Sequence, residues 1–246
     1  FFKSKDGTLY AIGNEIKGEG IVTGHILKQV ADGSTFLKIY SHPLEEKYDR
    51  FLSPAVASSG NDSHIWLTNR DGKLILLNKQ TTEIFSLYKL SLGGWRIHSM
   101  LLDRDESSVW FGYGPKGIVH FDGDTIKKQI TDIDNFSSGR MNSIVRDSSD
   151  NLWFAVGGWS PTSVGGIFVL RDSKITKYLK DSEGKEFGYC NVLFVDKSGT
   201  IWAHSYNGIA QFNGHSWKLF DSTTVSPDLP FANYSHIIQD KSGTVW

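Results

Sequence analysis

The chain has 246 residues, 39% of them hydrophobic and 22% charged, which is the composition of an ordinary globular protein long enough to bury a large core. Its 26 Lys and Arg against 27 Asp and Glu give a net charge of −1, which argues against a nucleic-acid surface or a polybasic membrane patch. The single cysteine, Cys190, can form no internal disulfide, and no apolar run approaches the about 18 residues of a transmembrane helix.

One short motif recurs along the chain. Residues 196–202 read Asp-Lys-Ser-Gly-Thr-Ile-Trp, and residues 240–246 repeat this with a single change, Val for Ile. Looser copies precede them. Each copy ends on an aromatic residue, and these six anchors are Tyr10, Trp66, Trp110, Trp153, Trp202 and Trp246. Neighbouring anchors lie 43 to 56 residues apart. Self-similarity at this period is typical of a propeller or a solenoid.

Each repeat predicts four short strands. In the clearest repeat they occupy residues 192–195, 200–203, 209–212 and 216–220. Asp71-Gly72, Asp122-Gly123 and Asn213-Gly214 separate apolar runs and predict tight type I′ hairpins. No stretch shows a sustained helical period. We therefore predict an all-β fold, a β-propeller of four-stranded antiparallel blades.

The anchors predict a single propeller domain over residues 1–246 with about five to six blades. A closed ring requires the last blade to pair with the first, so we expect the ring to be incomplete in this chain, with further blades or a disordered remainder outside it. The recurring Asp and Gly are predicted to form turns. The recurring Trp is predicted to fill the space between adjacent blades.

Function is expected where the repeats differ. The Asp-x-x-Gly turns lie at one end of the blades, which we call the turn face. Irregular segments all fall at the other end, the loop-rich face, and they are residues 132–139, 157–166, 181–188 and 222–233. The loop-rich face is therefore the predicted location of a site.

Counting back from each turn Asp aligns the first residues of the inner strands. Seven residues back stand Arg96, Arg140, Tyr189 and Asn233, and five back stand His98, Asn142, Asn191 and Ser235. These two positions share one side of a strand and would ring the mouth of a central channel. The predicted ligand-binding residues are Trp95, Arg96, His98, Arg140, Asn142, Trp159, Tyr189, Asn191, His204 and Tyr234.

Aromatic faces with Arg and Asn donors suit a sugar or another polar ligand that has apolar faces. The alternative is that these residues cap the inner strands and hold channel water. Motifs for catalysis or metal binding are missing: there is no compact His pair, no Gly-x-Ser-x-Gly elbow, no phosphate loop and no calcium loop. We therefore predict no catalytic residue, metal or cofactor, and favour a binding module over an enzyme.

The repeat resembles the two-component regulator propeller repeat. The resemblance is carried by the Asp-x-x-Gly-x-aliphatic-Trp motif, a following Gly-Ile and an Asn/Asp-Gly turn, best seen at residues 144–154, 192–220 and 237–246. It implies the periplasmic or extracellular sensor region of a bacterial histidine kinase or hybrid regulator, which recognises a small molecule or an oligosaccharide. In that family such propellers are often linked to polysaccharide uptake.

Two other readings stay open. Streptogramin lyases are similar in their motif, so a lyase or hydrolase would need a channel-mouth histidine among His98, His204 and His236. Sialidase boxes place Gly two residues after Asp rather than three, and do not match. The other open reading is a scaffold that binds protein partners or forms a homodimer through a blade edge.

Overall fold

The computed structural model describes residues 2–3, 9–17, 21–30, 33, 35–43, 57–58, 64–68, 73–78, 82–86, 97–112, 117–131, 140–157, 165–225 and 236–246. Within these ranges the chain forms five four-stranded antiparallel sheets and no helix. In every sheet, strands that are consecutive in the chain are neighbours. The predicted all-β fold of four-stranded antiparallel propeller blades is confirmed.

The first three sheets lie in the amino-terminal half. Sheet 1 contains β1 (Phe2–Lys3), β2 (Leu9–Lys17), β3 (Ile21–Gln29) and β4 (Phe36–Pro43). Sheet 2 contains β5 (Ala57–Ser58), β6 (His64–Thr68), β7 (Lys73–Asn78) and β8 (Thr82–Ser86). Sheet 3 contains β9 (Met100–Leu102), β10 (Val109–Gly112), β11 (Ile118–Phe121) and β12 (Ile126–Ile130).

The last two sheets follow in the carboxyl-terminal half. Sheet 4 contains β13 (Arg140–Arg146), β14 (Leu152–Gly157), β15 (Gly166–Arg171) and β16 (Lys174–Tyr178). Sheet 5 contains β17 (Cys190–Val195), β18 (Ile201–Ser205), β19 (Gly208–Phe212) and β20 (Trp217–Phe220). A bridge between Gln239 and Val245 begins a further repeat.

The chain divides into two compact units. Residues 1–113 and 118–129 form the first unit, and residues 114–117 and 130–246 form the second. Sheets 1 to 3 belong to the first unit, apart from the last residue of β12, and sheets 4 and 5 belong to the second. The single domain over residues 1–246 stays a prediction.

The turn aspartate holds both its turn and the anchor tryptophan. Oδ1 of Asp147 accepts the backbone N–H groups of Ser149 and Asn151, each at 2.9 Å, while Oδ2 accepts the indole N–H of Trp153 at 2.8 Å. The same indole bond recurs at three other turns, between Trp110 and Asp103 (2.8 Å), Trp202 and Asp196 (2.9 Å), and Trp246 and Asp240 (3.0 Å). The sequence predicted the turn, but the link from carboxylate to indole is a finding of the structure.

The anchor tryptophan packs one sheet against the next, as predicted. Trp153 of sheet 4 is fully buried, and its ring centroid lies 5.0 Å from that of Phe212 and 5.8 Å from that of Trp217 in sheet 5. In the first unit, Trp66 of sheet 2 lies 5.9 Å from Phe121 of sheet 3. Large flat rings remove much apolar area from water and so stabilise these sheet pairs.

The Asp-Gly and Asn-Gly hairpins are not the predicted type I′ turns. Only the glycine of each pair has a positive φ, 102° at Gly123 and 95° at Gly214, whereas type I′ needs two such residues. Asp122 instead bends a longer loop, because its Oδ1 accepts the N–H groups of Asp124 and Thr125 at 2.9 and 2.7 Å. Asp71-Gly72 lies outside the described residues.

Sheet 4 makes its corresponding turn without glycine. Asp172 and Ser173 have φ values of 45° and 68°, and Arg171 pairs directly with Lys174 across them. Two consecutive positive φ angles are the mark of a two-residue primed turn. The tight hairpin therefore occurs where no glycine signalled it.

A further copy of the motif is concealed in the connection between sheets 4 and 5. Residues 181–187 read Asp-Ser-Glu-Gly-Lys-Glu-Phe. Oδ1 of Asp181 accepts the N–H groups of Glu183 and Lys185, both at 2.9 Å, as in the other turns. Its Oδ2 accepts the N–H of Leu219 at 3.0 Å instead of an indole. This irregular segment is thus held against β20 by the hydrogen bond from Leu219.

Two tryptophan variants separate packing from hydrogen bonding. Trp153→Phe removes the N–H that Asp147 accepts, whereas no described residue accepts the buried N–H of Trp217. Both changes lose a similar buried area, so we expect Trp153→Phe to lower the free energy of unfolding by about 1–3 kcal/mol more than Trp217→Phe does. Denaturant titration measures the difference, and equal losses would contradict the role given to the indole bond.

The turn carboxylates predict acid sensitivity. Burial raises the pKa of Asp147, but hydrogen bonds from Trp153 and Asn151 outweigh burial and hold the pKa below its ordinary value of 3.8. Such a carboxylate stabilises the fold above its ordinary pKa, and the stabilisation is lost as pH falls through the folded-state pKa. Between about pH 5 and pH 2 the Tm should therefore fall less in Asp147→Asn than in the parent chain.

Thermal unfolding followed by circular dichroism across this pH range provides the measurement. The matched control is Asp172→Asn, which changes an exposed aspartate of the same sheet. The control should keep the acid sensitivity of the parent chain. Parallel curves for Asp147→Asn and the parent would show that this carboxylate contributes nothing to it.

Candidate functional site

The predicted site residues separate into three groups. Trp95, Arg96, Trp159 and Tyr234 lie outside the described residues, as do the aligned Asn233 and Ser235. His98 is half-buried in the first unit. The second unit holds the other five, which are Arg140, Asn142, Tyr189, Asn191 and His204. The geometry of a candidate site can be followed in the second unit alone.

Asn142 and Asn191 occupy equivalent β-bulges. The pairing of β13 with β14 shifts between Met141 and Ser143, and the pairing of β17 with β18 shifts between Cys190 and Val192. Each asparagine is therefore the extra residue that opposes no partner in the ladder. A bulge breaks the period-two alternation of a strand, so the predicted shared side of positions −7 and −5 does not follow from counting.

The two asparagines are linked to each other. Nδ2 of Asn142 donates to the carbonyl oxygen of Cys190 at 2.9 Å and to Oδ1 of Asn191 at 3.1 Å. One residue further on, Oγ of Ser143 accepts the N–H of Leu193 at 3.1 Å. These bonds join the inner strands of sheets 4 and 5. The asparagine amides thus fix the base of the loop-rich face, and their capacity for a ligand is partly occupied.

Beside this base lies a pair of tyrosines. The ring centroids of Tyr189 and Tyr206 are 5.2 Å apart with the ring planes tilted by 42°. The backbone N–H of Tyr206 donates to the carbonyl of Tyr189 at 2.9 Å, which joins the two loops that carry them. Tyr189 is half-buried and Tyr206 is 44% exposed. The pair presents aromatic surface to solvent at the loop-rich face.

The sequence prediction contained Tyr189 and missed Tyr206. Tyr206 belongs to the connection between the second and third strands of sheet 5, in the turn Tyr206-Asn207-Gly208. That turn is of ordinary length and is therefore not among the irregular segments. The available signal was its exposed aromatic residue on the same face as the predicted residues.

Glycines allow Tyr189 to approach sheet 4. A Cβ on Gly157 would lie 2.7 Å from Cβ of Tyr189, and one on Gly165 would lie 2.4 Å from its Cα. Both distances are well inside van der Waals contact, so each position excludes a larger residue. Arg140, half-buried, stands opposite Gly157 in the strand register. Arg140 therefore begins β13 next to the strand end that Tyr189 covers.

His204 is placed apart from this cluster. It is 2% exposed, and burial lowers the pKa of its imidazole, which favours the neutral form. Its side chain lines a mostly apolar pocket of about 300 Å³ with Trp202, Ile209, His236, Ile237, Val245 and Trp246. The pocket lies between β18 and the beginning of the next repeat.

Sheet 3 holds an Asp–His–Ser cluster that differs from a catalytic triad. Nε2 of His120 lies 3.0 Å from Oδ2 of Asp103 and 2.7 Å from Oγ of Ser108. A triad places its carboxylate and its hydroxyl on opposite ring nitrogens, whereas here one nitrogen serves both. Ser108 is 1% exposed and donates its hydroxyl proton to Asp105 at 2.7 Å. The cluster braces the turn of sheet 3.

The remaining reactive groups are poorly placed for chemistry. Cys190 is fully buried, and burial raises the pKa of its thiol far above its usual range. Across the described part of the chain, no three His, Cys, Asp or Glu side chains are grouped so that they could hold a metal ion. The described residues also include no helix long and apolar enough to cross a membrane.

Comparison with solved structures finds proteins of similar fold. The chain is similar to the extracellular domains of two hybrid two-component systems of B. thetaiotaomicron, BT3049 (16% identity, TM-score 0.64) and BT4673 (17% identity, TM-score 0.63). It is also similar to PorZ, a surface component of the type-IX secretion system of Porphyromonas gingivalis (14% identity, TM-score 0.65). No family model and no curated protein sequence matches the chain.

These similarities extend over nearly the whole chain but only part of each solved structure. The matches cover 96%, 95% and 95% of this chain, and 32%, 30% and 36% of the respective neighbours. The chain thus spans about a third of their length. At this level of identity the comparison shows the fold, and the fold is that found in extracellular domains of bacterial two-component proteins.

Proposed function

We propose that this chain is the ligand-binding part of a bacterial extracytoplasmic sensor and that it recognises an oligosaccharide at the loop-rich face. The observation that carries the proposal is the tilted pair Tyr189 and Tyr206 beside Arg140. Sugar rings combine apolar C–H faces with hydroxyl groups. Exposed aromatic faces next to fixed polar donors suit both parts of such a ligand.

The surroundings of the pair favour binding with little loss of flexibility. The asparagine link between β13 and β17 holds the two inner strands together. The hydrogen bond from the backbone N–H of Tyr206 to the carbonyl of Tyr189 fixes the two loops that carry these residues. Side chains held in this way lose little conformational entropy when a ligand binds. The tyrosines then act as a preformed stacking surface.

The sensor role draws its support from the resemblance of the repeat and from the neighbours in structure. Two of those neighbours are extracellular domains of hybrid two-component systems. In such a protein the propeller would report ligand occupancy to a signalling domain. A periplasmic or extracellular location follows from the same proposal.

A binding screen with one tyrosine variant tests the site. The purified chain is exposed to a panel of neutral and acidic oligosaccharides, and hits are quantified by isothermal titration calorimetry. We expect Tyr206→Ala to weaken the best hit at least about tenfold, because one stacking surface is lost. Tyr206 is exposed, so its removal should leave the Tm within a few degrees of the parent value.

The matched control is Phe36→Ala, which removes a partly exposed aromatic ring of sheet 1 in the other unit. It should leave the affinity of the hit unchanged. An unaltered Kd in Tyr206→Ala would remove the tyrosine pair from the site. A panel without any hit would overturn the oligosaccharide as the ligand class.

A further inference from the structure

A second cavity opens on the turn face, between sheets 4 and 5. Its volume is about 420 Å³, within the range of small-molecule sites, which is about 300–1,000 Å³. Polar residues of the turn at 147–151 form one wall, and Gly199 and Gly214 form the other. Arg171, Ile201 and Phe212 complete the lining. This cavity is at the opposite end of the blades from the tyrosine pair.

Arg171 contributes a guanidinium group with unused donors. The guanidinium makes no hydrogen bond or ion pair with any described residue, and its Nε is buried without an acceptor among them. Its contact is with the face of Trp153, whose ring centroid lies 5.3 Å from Cζ. Stacking holds the guanidinium plane in place. The terminal nitrogens are therefore the groups that can bind a ligand in the cavity.

The position of Arg171 departs from the repeat. It is the last residue of β15, at the place where sheets 3 and 5 have Asp122 and Asn213. Those two residues turn the chain by accepting backbone N–H groups. Sheet 4 makes this turn with Asp172 and Ser173 instead, which releases the position for a cation. A repeat that differs at one place is where function is expected.

The carboxylate in the lining is already satisfied. Asp147 accepts four donors, the N–H groups of Ser149 and Asn151, the side-chain amide of Asn151 and the indole of Trp153. The hydroxyl groups of Ser148 and Ser149 make no hydrogen bond with a described residue, and both residues are exposed. The groups of the described lining that are left for a ligand are thus one guanidinium, two hydroxyls and the side-chain oxygen of Asn151.

We propose that this cavity binds a small carboxylate that carries hydroxyl groups. A guanidinium pairs best with a planar carboxylate through two parallel N–H···O bonds. The serine hydroxyls match the hydroxyl groups of such a ligand, and the apolar ring of Phe212 contacts its carbon chain. The tyrosine pair takes no part, so this site is independent of the oligosaccharide site.

The test uses D-gluconate as the probe, with acetate and D-glucose as comparison ligands. Binding is followed by isothermal titration calorimetry and by the backbone amide NMR signals of Gly199 and Gly214. We expect gluconate to shift these signals and to bind at least about tenfold more tightly than acetate or glucose, since each of these lacks half of the recognised groups.

Arg171→Gln removes the charge and should weaken gluconate at least about tenfold. The matched control is Arg146→Gln, the same change at an arginine of sheet 4 that is paired with Asp150 and does not line the cavity. It should alter the Kd less than about twofold. Arg171→Lys keeps the charge but lacks the two parallel N–H donors of a guanidinium, so its affinity for gluconate should also fall about tenfold. This variant provides the test if Arg171→Gln does not fold.

Three results would overturn the proposal. They are unshifted glycine signals at about 50 mM gluconate, far above the Kd of a working site, equal affinities for the three ligands, and an Arg171 variant that folds and binds gluconate like the parent chain. Tyr206→Ala should leave gluconate binding unchanged. Failure of the oligosaccharide site would therefore show in a different variant and with a different ligand.

Discussion

The bond between a turn carboxylate and an anchor indole is the interaction on which these blades depend. In the turns of Asp147, Asp196 and Asp240, one carboxylate oxygen closes the turn and the other fixes the tryptophan of the following strand. In sheet 4 that tryptophan then packs on the next sheet. Local chain direction and packing between sheets are thereby set by the same side chain.

The carboxylate of the turn aspartate has little capacity left for a ligand. Both oxygens of Asp147 are used within the turn, as its four donors show. The binding groups that we propose lie where the repeat is interrupted. Arg171 replaces a turn-forming Asp or Asn, and Tyr206 projects from a tight turn beside Tyr189. The constant part of each blade acts as scaffold and the variable part supplies the chemistry.

Sequence reasoning identified the blades because their signals are local. Strand ends in sheet 5 match the prediction to within two residues, since turn-forming residues bound each apolar run. The type I′ prediction at Asp122-Gly123 was wrong because a side-chain oxygen closes that loop at greater length. The sequence does not distinguish a type I′ turn from this longer loop, because both place Asp or Asn followed by Gly between two strands.

The sequence by itself determined the fold class, the turn Asp and the anchor Trp, because each depends on neighbours along the chain. Tertiary structure decided the bulges at Asn142 and Asn191, the burial of His204 and the Arg171 Nε–H that no described residue accepts. These features depend on what the adjacent sheet places opposite a residue. A one-dimensional repeat records the period of the blades but not the contacts made across them.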